Sequence, residues 1–120
     1  MSLVSIILPS YNSSKFLEES INSVLNQSYD SWELLIVDDD STDGSKEIIT
    51  RFSKLDDRIK SLFLEKNIGA AKSRNIAIKQ SKGKYIAFLD SDDIWVDNKL
   101  EKQILFMKER QVAFSFTTYQ

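Results

Sequence analysis

The 120-residue sequence predicts an α/β fold, a Rossmann-like and mostly parallel sheet with helices on both faces. Two observations predict it. Apolar runs typical of buried strands alternate along the chain with segments whose apolar residues recur at helical spacing. The links between these segments are short, and strands joined through a helix lie parallel in one sheet. A chain of this length has room for one core, so residues 1–120 form a single domain.

Five runs predict strands because they are rich in β-branched and aromatic residues and are bounded by turn residues. They are Val4–Leu8, which Pro9 ends, Trp32–Val37, Ile59–Leu64, the run that begins at Tyr85, and Val112–Thr118. Four segments between them show the helical recurrence of apolar residues. The first is capped by Ser13 or Ser14 and reaches about Gln27, the second carries Ile48 to Leu55, the third spans about Ala70–Gln80, and the fourth is capped near Asp97 with Leu100, Ile104 and Met107 inward.

Arg74 falls on the same face of the third helix as Ala70, Ala71 and Ala77. An arginine on a packed face needs an anionic partner or a route to solvent. We expect its guanidinium to reach the carboxylates at the strand ends, Asp39 or Asp90, or a phosphate. The alternative is that it only extends along the helix edge into water.

Composition excludes several classes of function. The net charge of −2 gives no general attraction to nucleic acid or to an anionic membrane. The chain has no cysteine and no histidine, so disulfides, thiolate zinc sites and histidine-based triads are excluded, and any metal must be held by oxygen. No run is long enough to span a bilayer and no signal peptide is visible.

Polar clusters follow each of the first four predicted strands. They are Tyr11 and Asn12, Asp38 to Asp40, Asn67 and Gly69, and Asp90 to Asp93. Ligands of such sheets bind outside the carboxyl ends of the strands, so these clusters predict one site. Asp90, Asp92 and Asp93 repel one another, and alternation along the strand would place Asp90 and Asp92 on one side. We expect a divalent cation such as Mg²⁺ or Mn²⁺ there, with simple helix capping by Asp92 or Asp93 as the alternative.

Three rival motifs fit less well. The loop from Asp39 to Gly44 resembles a calcium loop, but its twelfth position is Thr50 instead of a bidentate glutamate. A phosphatase with Asp90 as nucleophile would also use Asp-x-Asp at a strand end, but Ile94 stands where such motifs have threonine or valine. The glycine-rich dinucleotide turn is absent after the first strand.

Four motifs occur in order along the chain: Val4–Asn12, Ile36–Asp43, Asn67–Gly69 with Ala71–Asn75, and Phe88–Asp93. Together they resemble the family 2 glycosyltransferases of the GT-A fold, over essentially the whole chain. The resemblance implies inverting transfer of a sugar from a nucleotide-diphosphate donor, and it favours UDP as the nucleotide. One departure is Asp40, where the family commonly has glycine or asparagine.

The resemblance also implies a role for seven residues. Pro9, Tyr11 and Asp39 would hold the nucleobase, with Asp38 beside them, Arg74 would lie near the base and ribose, and Asp90 and Asp92 would bind the ribose and a Mn²⁺ or Mg²⁺ on the diphosphate. The physical chemistry agrees: a carboxylate accepts a hydrogen bond from a uracil N–H, and Tyr11 offers a ring for stacking.

The larger departure is length, because the acceptor half of the family lies beyond the fifth strand. We therefore expect residues 1–120 to be the N-terminal, nucleotide-diphospho-sugar-binding part of a longer enzyme, with the general base beyond Gln120. The fragment would bind donor without transferring sugar, and its acceptor would be a saccharide or a lipid-linked one in cell-envelope polysaccharide synthesis. The expected location is cytoplasmic, or peripheral at the inner face of the membrane in the full-length protein. The alternative is a nucleotide and metal-binding module without catalysis.

Overall fold

The computed structural model describes residues 2–110, and within them four strands alternate with four helices. The elements are β1 (Val4–Ser10), α1 (Ser14–Leu25), β2 (Trp32–Asp38), α2 (Ser45–Leu55), β3 (Ile59–Phe63), α3 (Ala70–Gln80), β4 (Tyr85–Phe88) and α4 (Lys99–Arg110). The strands form one parallel sheet in the order β3-β2-β1-β4. This confirms the predicted alternation and the parallel sheet.

The order of the strands creates a switch in direction beside β1. The chain moves outward from β1 to β2 and β3, then returns through α3 to place β4 on the other side of β1. Val4 is in register with Trp32 of β2 and with Tyr85 of β4. Open parallel sheets bind ligands at such a switch, outside the carboxyl ends of the strands.

Alternation along β1 divides the core into two layers. Val4, Ile6 and Leu8 pack with buried residues of α1, α2 and α4 on one face of the sheet. Ile7 faces the opposite side and packs with Ala77 of α3. Because both faces are covered, the central strands carry apolar residues at most positions, as the sequence pattern predicted. None of the helices within residues 2–110 is long and apolar enough to cross a membrane.

Several predicted boundaries were wrong by a few residues. β1 continues through Pro9 to Ser10, because its register with β2 extends to Ser10 while its pairing with β4 stops at Ile7. A proline is tolerated there because its missing N–H lies on the side where β4 has already ended. Ser13 is the N-cap residue of α1, yet its hydroxyl makes no capping bond. The fifth strand predicted at 112–118 lies outside the described residues.

Candidate functional site

A cleft of about 370 Å³ opens at the carboxyl ends of β1 and β4, beside the first turns of α1 and α3. Its lining consists of Pro9, Ser10, Tyr11, Asn12, Ser13, Phe16, Asp39, Ala70, Ser73, Arg74, Asp90, Ser91 and Asp92. Six of the seven residues predicted for a donor site are therefore brought together, although more than 80 residues separate the first of them from the last. The cleft lies at the switch between β1 and β4, where a ligand is expected.

Asp39 is buried, with 3% of its surface exposed, and its carboxylate joins β2 to the start of α3. Oδ1 accepts a hydrogen bond from the backbone N–H of Ile68, and Oδ2 accepts one from Gly69, both at 2.8 Å. The Asn67 side chain also donates to the Asp39 carbonyl. A negative charge is favourable at this helix N-terminus. Each carboxylate oxygen has a second lone pair, so Asp39 can still accept a hydrogen bond from a ligand.

Asp38 is the predicted residue that does not line the cleft. It is fully buried, and both of its oxygens accept hydrogen bonds from Ser41, Oδ2 from the backbone N–H at 2.9 Å and Oδ1 from the hydroxyl at 2.6 Å. These bonds close the turn after β2. Asp40 within it has a φ of 61°, a left-handed conformation that aspartate tolerates better than most residues. In this geometry Asp38 shapes the loop that carries Asp39.

Asp90 and Asp92 are presented by a turn, whereas the sequence pattern predicted an extended strand end. β4 stops at Phe88, and the N–H of Asp93 donates to the carbonyl of Asp90 at 3.0 Å, which closes a turn over residues 90–93. Strand alternation therefore does not apply to these residues, but both Asp90 and Asp92 line the cleft. We call residues 90–93 the acidic turn.

Arg74 reaches the acidic turn from α3. One of its guanidinium nitrogens lies 3.5 Å from Oδ1 of Asp90, and both side chains are partly exposed. This confirms the predicted contact with a strand-end carboxylate. An exposed pair of this kind adds little stability and remains free to rearrange around an anion. The expectation that Ala70 and Ala71 pack with Ala77 on one face of α3 was wrong, since only Ala77 is buried; Ala70 and Ala71 are exposed, and Ala70 lines the cleft.

Asp93 does not line the cleft, and its Oδ2 is buried without a hydrogen-bond partner among the described residues. Burial raises the pKa of Asp93, and the charges of Asp90 and Asp92 raise it further. Asp90 and Asp92 bring two carboxylates to the cleft, and a bound cation would relieve the repulsion between them. Within residues 2–110 no three acidic side chains converge into a cage for a metal. The two cleft carboxylates fit an ion that completes its shell with water and ligand phosphates.

Hydrogen bonds between two loops fix the side of the cleft that Tyr11 lines. The N–H of Asn12 donates to Ser41 Oγ at 2.9 Å, and the Asn12 side chain accepts the N–H of Thr42 at 2.8 Å. Asp43 Oδ2 accepts the N–H of Ser14, and its Oδ1 accepts the N–H of Ser45. Partial burial raises the pKa of Asp43, but these hydrogen bonds outweigh it and lower the pKa to about 2.

Tyr11 stands at the edge of this fixed loop with 52% of its surface exposed. An exposed ring on an ordered loop is free to stack on a planar ligand without first breaking a packed core. Tyr11 lines the cleft, and its role at a nucleobase stays a prediction.

Sequence reasoning missed several residues of the lining, among them Ser10, Ser13, Phe16, Ser73 and Ser91. Ser10 is buried, and its hydroxyl has no hydrogen-bond partner among the described residues. Ser13 and Ser91 join hydroxyls at 2.7 Å across the cleft wall, although they are 78 positions apart. A contact between two serines that are far apart in the chain produces no local pattern in the sequence, because serine is common both in loops and at helix ends.

The fold is the GT-A fold of glycosyltransferases, as comparison with solved structures shows. The chain belongs to glycosyl transferase family 2, whose model matches residues 5–120. TuaG of Bacillus subtilis strain 168, a glycosyltransferase named for teichuronic acid biosynthesis, is 54% identical over 117 residues. WfgD of Escherichia coli, a UDP-Glc:α-D-GlcNAc-diphosphoundecaprenol β-1,3-glucosyltransferase, is 51% identical over 118 residues. In both cases the match covers 98% of this chain and 46% of the relative. The chain thus spans about half the length of these relatives.

Solved structures show the same fold. A crystal structure of Staphylococcus aureus TarS 1–349 in complex with UDP-GlcNAc superimposes with a TM-score of 0.85 at 35% identity, over 92% of this chain and 32% of that one. The mannosyltransferase PcManGT of Pyrobaculum calidifontis, in complex with GDP-Man and Mn²⁺, gives a TM-score of 0.81 at 24% identity, over 87% of this chain and 32% of that one. The second likeness is one of fold alone.

Proposed function

We propose that this chain binds the nucleotide-sugar donor of an inverting, metal-dependent glycosyltransferase, with a UDP-sugar as the donor. One observation carries the proposal: six residues that the motifs point to line a single cleft at the sheet switch. The names of two relatives support the nucleotide, since WfgD is named for UDP-Glc and TarS was crystallised with UDP-GlcNAc.

The nucleobase lies between Tyr11 and Asp39 in this proposal. Tyr11 offers an exposed ring for stacking, and Pro9 forms the adjacent wall. Asp39 is held by two backbone amides, so its carboxylate is fixed before the ligand arrives and accepts the imide N–H of uracil with its remaining lone pairs. Asp38 contributes indirectly, by holding the turn that carries Asp39.

The ribose and diphosphate lie toward the acidic turn. Asp90 and Asp92 would hold Mn²⁺ or Mg²⁺ together with the diphosphate oxygens. When bound, such an ion neutralises the leaving diphosphate without any proton transfer. Arg74 lies 3.5 Å from Asp90 and supplies a positive charge beside the same group. The arginine therefore attracts the ligand anion to the acidic turn.

Inverting transfer also needs a base that takes a proton from the acceptor hydroxyl. We place that base beyond Gln120, in a part of the protein that the length of the relatives leaves room for. The acceptor is a saccharide or a lipid-linked saccharide, as the name of WfgD indicates for that protein. Activity on a lipid-linked acceptor would place the full-length enzyme in the cytoplasm, at the inner face of the membrane. If no such base exists, the chain is a nucleotide and metal-binding module.

Calorimetric titration of UDP with and without Mn²⁺ tests the proposal. Mn²⁺ should tighten UDP binding, and UDP should tighten Mn²⁺ binding by the same factor, because the coupling is reciprocal. Asp92→Asn should reduce that factor about tenfold or more, since it removes one of two ligating charges. Asp97→Asn is the matched control, because it removes an exposed acidic charge outside the cleft lining. A UDP affinity that does not respond to Mn²⁺ would contradict the metal role.

A further inference from the structure

Helix α1 holds the acidic turn through one buried serine. Ser20 has no exposed surface, and its hydroxyl lies 2.6 Å from the carbonyl oxygen of Asp93 and 2.8 Å from that of Ser91. Both contacts span more than 70 positions of the sequence. They bring the middle of α1 against the backbone of the residues that present Asp90 and Asp92 to the cleft.

This use of a serine is unusual within a helix. A mid-helix serine that is shielded from water commonly donates to a carbonyl of the preceding turn of its own helix. Ser23 does so, since its hydroxyl donates to the Ser20 carbonyl at 2.7 Å. Ser20 instead shares its single proton between two carbonyls of the acidic turn. A buried hydroxyl is costly without a partner, so the helix and the turn are tied together at this point.

The acidic turn has few internal constraints of its own. The bond from the Asp93 N–H to the Asp90 carbonyl closes it, and the Ser13 hydroxyl meets Ser91 from one side. The bonds from Ser20 act on the main chain, so they set where the turn lies whatever its side chains do. Two carboxylates that share one ion must be positioned within about 0.5 Å for the site to bind well.

We infer that Ser20 is a positioning residue for the metal and diphosphate part of the cleft. By fixing the carbonyls of Ser91 and Asp93, it sets the backbone from which Asp90 and Asp92 project. Ser20 does not itself line the cleft. The inference rests on the proposed function, because its consequence is the coupling between the nucleotide and the divalent ion.

The test compares Ser20→Ala with Ser23→Ala in the full chain. Both remove a buried hydroxyl from α1, but only the first removes contacts with the acidic turn. UDP affinity is measured by calorimetry with and without Mn²⁺. Ser20→Ala should lower the Mn²⁺-dependent gain in UDP affinity about fivefold or more, the effect of one lost buried hydrogen bond. UDP affinity without Mn²⁺ should change less than about twofold, because Tyr11 and Asp39 lie on other elements.

A second measurement does not depend on ligand. Hydrogen exchange at the amide of Asp93 should quicken in Ser20→Ala and stay unchanged in Ser23→Ala, because only the first loosens the turn. If Ser20→Ala does not fold, Ser20→Cys takes its place, since it retains the volume and donates only weakly.

The outcomes separate this inference from the proposed function. If the unaltered protein shows no Mn²⁺-dependent gain, the metal role of the cleft fails and the positioning role of Ser20 fails with it. If the gain is present and Ser20→Ala retains it in full, the metal site stands and Ser20 is only a packing residue. An equal loss in Ser23→Ala would also overturn the inference, because it would show that any buried hydroxyl of α1 has this effect.

Discussion

The Asp39 carboxylate has two roles: it accepts two backbone N–H groups at the start of α3, and in the proposed function it also accepts a hydrogen bond from the nucleobase. Replacing Asp39 by asparagine tests each role by a different measurement. The side chain retains its volume but loses its charge and one acceptor oxygen. In the unaltered protein the backbone N–H groups of Ile68 and Gly69 each lie 2.8 Å from one carboxylate oxygen. In the variant, the NH₂ group of the asparagine faces one of these two N–H groups. One N–H is left without an acceptor, which costs about 1–3 kcal/mol of unfolding free energy. Urea denaturation measures that loss.

The same substitution should weaken UDP binding by about 1–3 kcal/mol, or roughly 5- to 150-fold, if the carboxylate accepts the uracil imide N–H. A ligand analogue isolates this contact from the loosening of α3. UDP methylated at the imide nitrogen cannot donate, so the unaltered protein should bind it more weakly than UDP. In Asp39→Asn the ratio of the affinity for UDP to the affinity for methylated UDP should be smaller than in the unaltered protein, even if the substitution also destabilises α3.

Asp40→Asn is the control for Asp39→Asn. It removes the same charge from the next residue, and asparagine tolerates the φ of 61° found there. It should leave both UDP affinity and the ratio between the two ligands within about twofold, since Asp40 does not line the cleft. An Asp39→Asn variant that binds UDP as tightly as the unaltered protein would remove Asp39 from the nucleotide site. An unchanged free energy of unfolding in Asp39→Asn would refute the role of the carboxylate in holding the start of α3.

Three further predictions follow from other contacts. Arg74→Lys should weaken UDP binding about tenfold, because lysine does not reproduce the planar guanidinium. The melting temperature should stay constant, because the 3.5 Å ion pair of Arg74 is exposed. A lower melting temperature with unchanged affinity would contradict this prediction. The pKa of Asp43 is lowered to about 2, so its carboxylate stabilises the fold above about pH 4 and that contribution is lost as the pH falls through 2. The lowering of this pKa from 3.8 to about 2 corresponds to about 2.4 kcal/mol, and partial exposure reduces the expected effect to about 1–2 kcal/mol. Acid titration of urea stability should therefore be flatter in Asp43→Asn, and identical curves would refute the assignment. Gly83→Ala should destabilise the protein by about 1–3 kcal/mol, because the new Cβ would lie 2.6 Å from the backbone N of Ser5; Gly44→Ala, whose Cβ has its nearest contact at 3.8 Å, should fold normally.

The sheet and the helices could be predicted because each depends on a local pattern of residues that is still visible in the folded structure. The apolar runs at β1 and β2 are buried on both faces in a parallel sheet, so they carry no polar face that could blur the signal. The turn after β2 is another local pattern, because Asp40, a residue type that tolerates left-handed backbone, has a positive φ there. The ends of elements were less predictable. β1 passes through Pro9 because its neighbour β4 ends before it, and no local pattern shows that β4 lies beside β1 or where their pairing stops.

The sequence by itself determined which residues could form the site, because strand ends in a parallel α/β sheet must meet at one edge, and the polar clusters follow those ends. Only the tertiary structure decided which of them share the cleft. It turned Asp38 inward to Ser41 and left Asp39 on the cleft wall. It also brought Ser20 against the acidic turn. Both outcomes depend on hydrogen bonds that a buried polar group must find in the packed core. Asp38 finds its partner three positions away, whereas the partners of Ser20 lie more than 70 positions away.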